Sequence, residues 1–290
     1  MSRPFKTISQ RYAQWCVLGV LGIVTIVVWI AVFRTDRNGA LTVAFLDVGQ
    51  GDAIYIEAPN GNQVLIDGGS GRAVLRALGK MMPFWDRSLD LVVATHPDQD
   101  HIGGLPSVFD RLHVSRVMTT ETTATTGAYD AFEKGVMNEH AERSLARRGE
   151  RIILDRGVVL EILFPNENTR GWETNTASIV ARLSYGDTSF LFTGDAPQGV
   201  EKHLVNTYST RLRTTVLKLG HHGSRTSSAR EFLSVVDPEY AVISAGKNNT
   251  YGHPHKEVTD FLNELSVHSL STAEQGTIVF KTIGEGVWME

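Results

Sequence analysis

At 290 residues the chain has room for one large domain or two small ones. Hydrophobic residues make up 42% and charged residues 21%, which calls for a packed core and excludes wholesale disorder. A net charge of -4 lacks the basic excess of a dedicated nucleic-acid binder, though a local basic patch is compatible with it, and a single cysteine, Cys16, excludes an internal disulfide and a cysteine-based zinc site.

Residues 1–14 are polar and basic, and residues 15–33 carry no charge. At ~1.5 Å per residue that uncharged run reaches roughly 28 Å, close to the thickness of a bilayer's hydrocarbon core. No polar stripe recurs at helical spacing, so the run is apolar all round, as a lipid-facing helix is. A single transmembrane helix is favoured over a cleaved signal peptide or a buried core helix. The run exceeds a usual signal h-region, and no small-x-small cleavage site follows at once. Arg3, Lys6 and Arg11 precede it, while Arg34 and Arg37 follow with Asp36 between them. That margin of one charge puts the N-terminus in the cytoplasm and the rest of the chain outside the cell membrane. Residues 34–40 read as a linker and residues 41–290 as one folded domain.

Residues 41–45, 53–57 and 63–66 are short β-type runs parted by Gly49-Gln50-Gly51 and Asn60-Gly61-Asn62. Residues 73–80 read as a helix, 89–95 as a buried strand and 129–148 as a long charged helix. Strands follow at 151–154, 158–164, 177–185 and 189–193, then a helix at 198–205 and a strand at 214–219. Helices at 228–235 and 256–265 flank a strand at 240–244, and a strand at 277–282 closes the chain. Two such halves predict an α/β fold of two sheets face to face with helices outside. No short repeat period is present.

The strand at 89–95 ends in His96-Pro97-Asp98-Gln99-Asp100-His101, followed by Ile102-Gly103-Gly104. Side chains just past the carboxyl end of a strand project into a crevice. Four ligand-type side chains in six residues are hard to explain structurally, because Asp98 and Asp100 repel and a core cannot bury them unpaired. A bound cation resolves both problems, and imidazole with carboxylate suits zinc, manganese or iron. A solvated polar loop is the bland alternative.

This segment resembles the HxHxDH signature of the metallo-β-lactamase superfamily, with Asp98 where the second His usually stands. Leu65-Ile66-Asp67-Gly68-Gly69, Phe192-Thr193-Gly194-Asp195 and Lys218-Leu219-Gly220-His221-His222-Gly223-Ser224 resemble its further motifs, in order. With Asp47-Val48-Gly49-Gln50-Gly51-Asp52-Ala53 and Tyr251-Gly252-His253-Pro254, the set is similar to the exported hydrolase domain of ComEC-type competence proteins, over about residues 41–280. A more distant resemblance is to phosphorylcholine esterases of choline-binding proteins. The resemblance implies a four-layer αββα sandwich after the membrane helix, holding two divalent metal ions.

Matched motif by motif, His96 and Asp98 would hold one ion, and Asp100 and His101 the other with His222, while Asp195 bridges them. Asp67 would orient a ligand imidazole from behind. His221 or His222 would coordinate, His222 being favoured, and the other would stabilise developing charge. The superfamily's middle His is missing; Asn175-Thr176-Ala177-Ser178 stands there, with Asn175 a candidate supporting residue. An oxygen-rich first site shifts the expected metal from zinc toward manganese or magnesium. Asp100 would help position a hydroxide, and His221 or His253 would donate to the departing oxygen; His253 reads equally as a surface-loop residue. Lys218 and Arg225 could hold a phosphate or be solvated surface charge. His113, His140, His203, His255 and His268 read as ordinary surface or packing residues.

The implied reaction is phosphodiester hydrolysis, and the resemblance implies DNA as substrate. Residues 143–151 supply a basic stretch that reads either as a backbone-contacting patch or as a favourable helix C-terminus. The acidic balance keeps open a non-nucleic-acid ester such as a cell-envelope phosphodiester, and a non-catalytic scaffold is a third class. ComEC-type proteins carry many membrane helices, so DNA transport is not carried over to this chain; a separate channel or transport partner stays open, and the sequence does not show one.

Overall fold

The structure, a computed structural model, describes residues 8–35 and 39–290. It divides into two units, Met1–Gly39 and Ala40–Glu290. The proposed cytoplasmic segment and linker therefore fall partly outside the described residues, at 1–7 and 36–38. In the first unit, helix α1 runs Ile8–Thr35, and its stretch Tyr12–Trp29 is long and apolar enough to cross a membrane by length and composition.

The second unit is a sandwich of two sheets. Strands β1 (Leu41–Phe45), β2 (Ile54–Glu57), β3 (Gln63–Ile66), β4 (Ser88–Val93), β5 (His113–Thr119) and β6 (Glu142–Leu145) lie side by side in one sheet. Strands β14 (Ile278–Thr282) and β15 (Trp288–Met289) extend that sheet beyond β1. The other sheet runs β13 (His268–Ser271), β12 (Tyr240–Ile243), β11 (Val216–Lys218), β10 (Thr188–Phe192), β9 (Val180–Tyr185), β8 (Val158–Phe164) and β7 (Arg151–Asp155).

Alternation along each strand sorts side chains into three apolar layers. Leu41, Val43 and Phe45 of β1 and Phe190 and Phe192 of β10 point between the sheets. Phe45 packs on Phe192 at 6.2 Å and edge-on against Phe280 at 6.1 Å. The opposite-phase residues Ala44 and Leu65 meet helices α2 (Ala73–Met81), α4 (Leu105–Phe109) and α5 (Gly127–Glu139). Leu191, Leu217 and Ala241 meet α6 (Gln198–Tyr208), α7 (Arg230–Val236) and α8 (Lys256–Glu264) on the far side. The layers are thus helix, sheet, sheet, helix. A short helix α3 (Gln99–Ile102) follows β4, and α9 (Thr272–Gln275) follows β13.

One predicted element is corrected. The charged segment 129–148 is not one helix: α5 stops at Glu139, His140 takes a left-handed φ of 58°, and Glu142–Leu145 becomes the edge strand β6 beside β5. Its charged side chains suit an exposed edge. The basic stretch 143–151 is therefore no helix C-terminus, and two of its four arginines are engaged: Arg143 donates to both oxygens of Glu133, and Arg147 pairs with Glu121.

Candidate metal centre

The carboxyl ends of β3, β4, β10 and β11 open at one end of the sandwich, where Ile179 N–H donates to Thr95 O at 3.0 Å and ties the sheets together. β4 delivers Thr95 and His96, and the one-turn helix α3 then presents Asp100 and His101. β3 ends at Asp67, whose backbone sits at φ 59°. β10 leads to Asp195 through Gly194, and β11 leads through Lys218 to His221 and His222. Both histidines are left-handed, at φ 50° and 56°, so the segment is not extended. That conformation costs a non-glycine residue roughly 1–2 kcal/mol. It turns both rings toward Asp195, whose Oδ2 lies 3.8 Å from His221 Nε2 and 3.5 Å from His222 Nε2.

Four buried groups converge most tightly: Asp52, His101, Asp195 and His222 each offer a ligand atom within 4.8 Å of the others. His101 Nε2 lies 3.2 Å from Asp195 Oδ1, and His222 Nε2 lies 3.1 Å from Asp100 Oδ2. Behind His101, Asp67 accepts from its Nδ1 at 2.8 Å and from Thr95 N–H and Oγ1 at 2.8 and 2.7 Å. This fixes the imidazole tautomer and aims Nε2 into the cluster. His96 stands against His101 with ring centres 4.1 Å apart, and its Nε2 is 3.7 Å from Asp98 Oδ2.

Asp52 is the site residue the sequence reading quoted in a motif but assigned no role. Gly51 explains its place. At φ +118° a Cβ there would lie 2.0 Å from Asp100 O, so only glycine lets the two loops touch. Asp52 N–H then donates to that carbonyl at 3.1 Å.

Lys218 corrects a second reading. It is neither solvated nor free to hold a phosphate: its side chain is wholly buried, pairs with Asp52, donates to Gly194 O at 3.0 Å and lies 3.7 Å from Asp195 Oδ1. Its strand is covered on both faces, so the side chain can satisfy its charge only at the strand end. Arg225 is exposed, 3.9 Å from Glu257.

On the turn before β9, Ser178 Oγ accepts from Asp195 N–H at 3.1 Å and lies 3.4 Å from His96 Nδ1. Asn175 lies on the same turn with its Oδ1 buried and unpartnered. His253 lies beside the cluster, with ring centres 5.5 Å from His221 and 6.2 Å from His222. His113, by contrast, pairs with Glu139 at 2.6 Å.

Electrostatics follow from burial and these neighbours. Burial pushes His96 down to about 3, with His101 adding to it, so His96 is a neutral imidazole with a free lone pair. Burial alone would lower His101, but Asp195 and Asp67 hold it well above the usual histidine value. Burial likewise opposes His222, which Asp195 and Asp52 bring up to about 9. Against burial, His222 and His101 keep Asp195 well below the carboxylate range, and Lys218 with His222 keeps Asp52 below it. Burial also lowers His253, with His222 and His221, to about 4.

The donor set fits a divalent cation. Asp52 Oδ1, His96 Nε2, His101 Nε2, Asp195 Oδ1 and His222 Nδ1 are buried without an aligned hydrogen bond, although several lie near an opposite charge. Buried polar atoms without partners are rare, and a cation would satisfy this group together.

The profile of the metallo-beta-lactamase superfamily matches residues 46–247. This chain belongs to that superfamily. Among curated relatives of this superfamily member, it is 30% identical to "ComE operon protein 3" of Bacillus subtilis over 82% of its own length and 33% of the relative's. It is 31% identical to "Competence protein ComA" of Neisseria gonorrhoeae over 84% of its length and 32% of that protein, and 30% identical to "Recombination protein 2" of Haemophilus influenzae over 89% and 31%. The chain thus spans about a third of each of these relatives. Among solved structures, the metallo-beta-lactamase fold protein YhfI from Bacillus subtilis superposes with a TM-score of 0.58 at 12% identity, covering 83% of this chain and 99% of YhfI. CmlA, a diiron beta-hydroxylase from Streptomyces venezuelae, superposes at 0.52 with 13% identity, covering 79% of this chain and 52% of its own. Those likenesses show the fold; one superfamily scaffold carries different chemistries.

Proposed function

We propose that this chain is a metal-dependent phosphodiesterase acting on DNA, with α1 as a single-pass anchor and the second unit on the outer face of the membrane. The carrying observation is the convergence of buried Asp52, His101, Asp195 and His222 at the open end of the sandwich, in a chain related to competence proteins. Asp100, His101 and His222 would hold one divalent ion and His96 with Asp98 a second, with Asp195 between them. A zinc, manganese or magnesium ion held there would supply Lewis-acid charge and make water a stronger acid.

The remaining work belongs to the chain's own side chains. Asp67 and Thr95 hold the His101 ring from behind. Asp100, its side chain 31% exposed and hydrogen-bonded to His222, would help position the attacking oxygen by accepting a hydrogen bond from it. His221 has Nδ1 against Thr226 Oγ1 at 3.0 Å, which leaves Nε2 beside Asp195 to donate to a departing oxygen. His253 backs that ring and lies close enough to meet a substrate oxygen. Asn175, on the turn that carries Ser178, supports the His96 side.

One observation favours a second reading, a cell-envelope phosphodiester. Arg143 and Arg147, two of the four arginines in the stretch the sequence offered as a DNA-contacting patch, are spent on Glu133 and Glu121, and the whole chain is acidic. The full chain, assayed on single- and double-stranded DNA with manganese, magnesium or zinc beside Asp195→Ala, decides between them. Metal-dependent cleavage lost in the variant supports the nuclease reading. A folded, metal-loaded chain that leaves DNA intact removes it and moves the envelope ester to the front.

A further inference from the structure

We infer that the end of the second unit opposite the Asp/His cluster is a membrane-contact face, seated on anionic phospholipid through exposed aromatic side chains and unpaired arginines. The inference rests on the reading of α1 as a membrane span.

Strand direction defines this end. Phe45, Ile54, Ile66 and Val93 lie in one row across β1 to β4, next to the cluster. β1 is antiparallel to β2, β2 to β3, and β3 is parallel to β4, so β1 and β4 run the same way. Leu41, where the chain enters the second unit shortly after α1, therefore lies at the end where β4 begins, away from the cluster. Pro83-Phe84-Trp85-Asp86-Arg87 turns into β4 at that same end, with Asp86 holding Gln63 Nε2 at 2.8 Å.

Exposed apolar side chains collect there. Phe84 is 85% and Trp85 53% exposed, and the two rings pack edge-on with centres 4.8 Å apart. Thr282 pairs with Leu41, so Ile283 and Trp288, also exposed, rim the same end. From β14 to β4 is four strand spacings, about 19 Å, so these tips make a line rather than a point. Above Phe84 a groove of about 410 Å³ is lined by Arg72, Arg76, Arg87 and Arg111 with Met82. None of these arginines has a carboxylate within 4.0 Å among the described residues, and Asp86, the groove's acid, is engaged by Gln63 and Ser88.

Aromatic rings with arginines beside them suit the headgroup layer, where rings sit among glycerol and acyl carbons and guanidinium groups pair with phosphate. Single-stranded nucleic acid would find the same groups attractive. Placement favours lipid. A substrate is needed at the cluster end, whereas this face lies at the end through which the chain arrives from an apolar helix. Docked this way, the cluster opens away from the bilayer.

The test uses the full chain in lipid nanodiscs, with nitroxide-bearing phospholipid quenching a fluorophore on one cysteine at a time. Native Cys16, within α1, reports the span. Gly79→Cys in a Cys16→Ser background reports the proposed face; a Cβ there meets nothing within 4 Å. Glu167→Cys in the same background reports the cluster end, just beyond β8. Quenching is expected at 16 and 79 and not at 167. At 79 it should fall by about threefold when anionic lipid is replaced by zwitterionic lipid, or when Arg76, Arg87 and Arg111 become Gln. Quenching at 16 without quenching at 79 overturns the contact face and leaves the span standing. Absence of quenching at 16 overturns the span and the face together. A response at 79 to added oligonucleotide but not to lipid charge gives the surface to nucleic acid and also overturns the proposal.

Discussion

Replacing Lys218 with methionine keeps the length of the side chain and removes the cation that Asp52 and Asp195 share. All three groups are buried, so their charges are little screened, and the variant leaves two buried carboxylates short of a partner. Breaking a buried ion pair by deleting one member costs about 3–5 kcal/mol. In a unit of this size each kcal/mol moves Tm by about 2–4 °C, so Lys218→Met should melt roughly 6–20 °C below the parent in chelator. A divalent ion supplies the missing positive charge, so manganese should raise the variant's Tm by more than it raises the parent's. Acid should also narrow the gap. Without Lys218 the folded-state pKa of the carboxylates rises, and the deficit fades as pH falls through it. The assay is differential scanning fluorimetry of the full chain in detergent, with chelator and then with graded metal. A variant that melts with the parent in chelator, or that gains no more from metal than the parent does, would refute the argument that Lys218 is the cluster's internal counter-charge.

Asp67→Asn keeps a residue that tolerates the left-handed backbone at 67 but weakens the hold on His101. Metal affinity, measured by chelator competition, should fall about 10–100-fold with little change in secondary structure. Gly51→Ala forces a methyl group against Asp100 O and should cost on the order of 3 kcal/mol in chemical denaturation. Glu201 lies buried on α6 with its carboxylate against the residues that precede α7, and burial, opposed by backbone N–H groups of Ala229 and Ser228, raises it to about 7. Its folded-state pKa lies above its unfolded value of 4.5, so its contribution is fully present below pH 4.5 and is lost as pH rises toward 7. Stability of the parent minus that of Glu201→Gln should decline across that window. A difference flat with pH would show that Glu201 stays ionised in the fold.

Elements with alternating or continuous apolar runs were legible in the residues. β1, β3 and β8 match the expected runs end to end, because each buries side chains on two faces or on strict alternation. Strands lacking that signal escaped. β6, β13 and β15 sit at or beside sheet edges, where polar side chains are tolerated, and residues 142–145 read as helix because glutamate, arginine and leucine favour helices in isolation. The pairing of β6 with β5 overrode that preference.

The residues by themselves determined that one strand end would carry ligand-type side chains from 96 to 101, and that aspartate and histidine motifs spaced over more than a hundred residues belonged to one superfamily. Local chemistry is written in such spacings. Only the tertiary structure decided which groups meet: that Asp52 reaches the cluster through a glycine contact, that Ser178 stands between Asp195 and His96, and that Lys218 is buried among carboxylates. Those depend on how two sheets register against each other, and register is a sum over many packed side chains that no single motif contains.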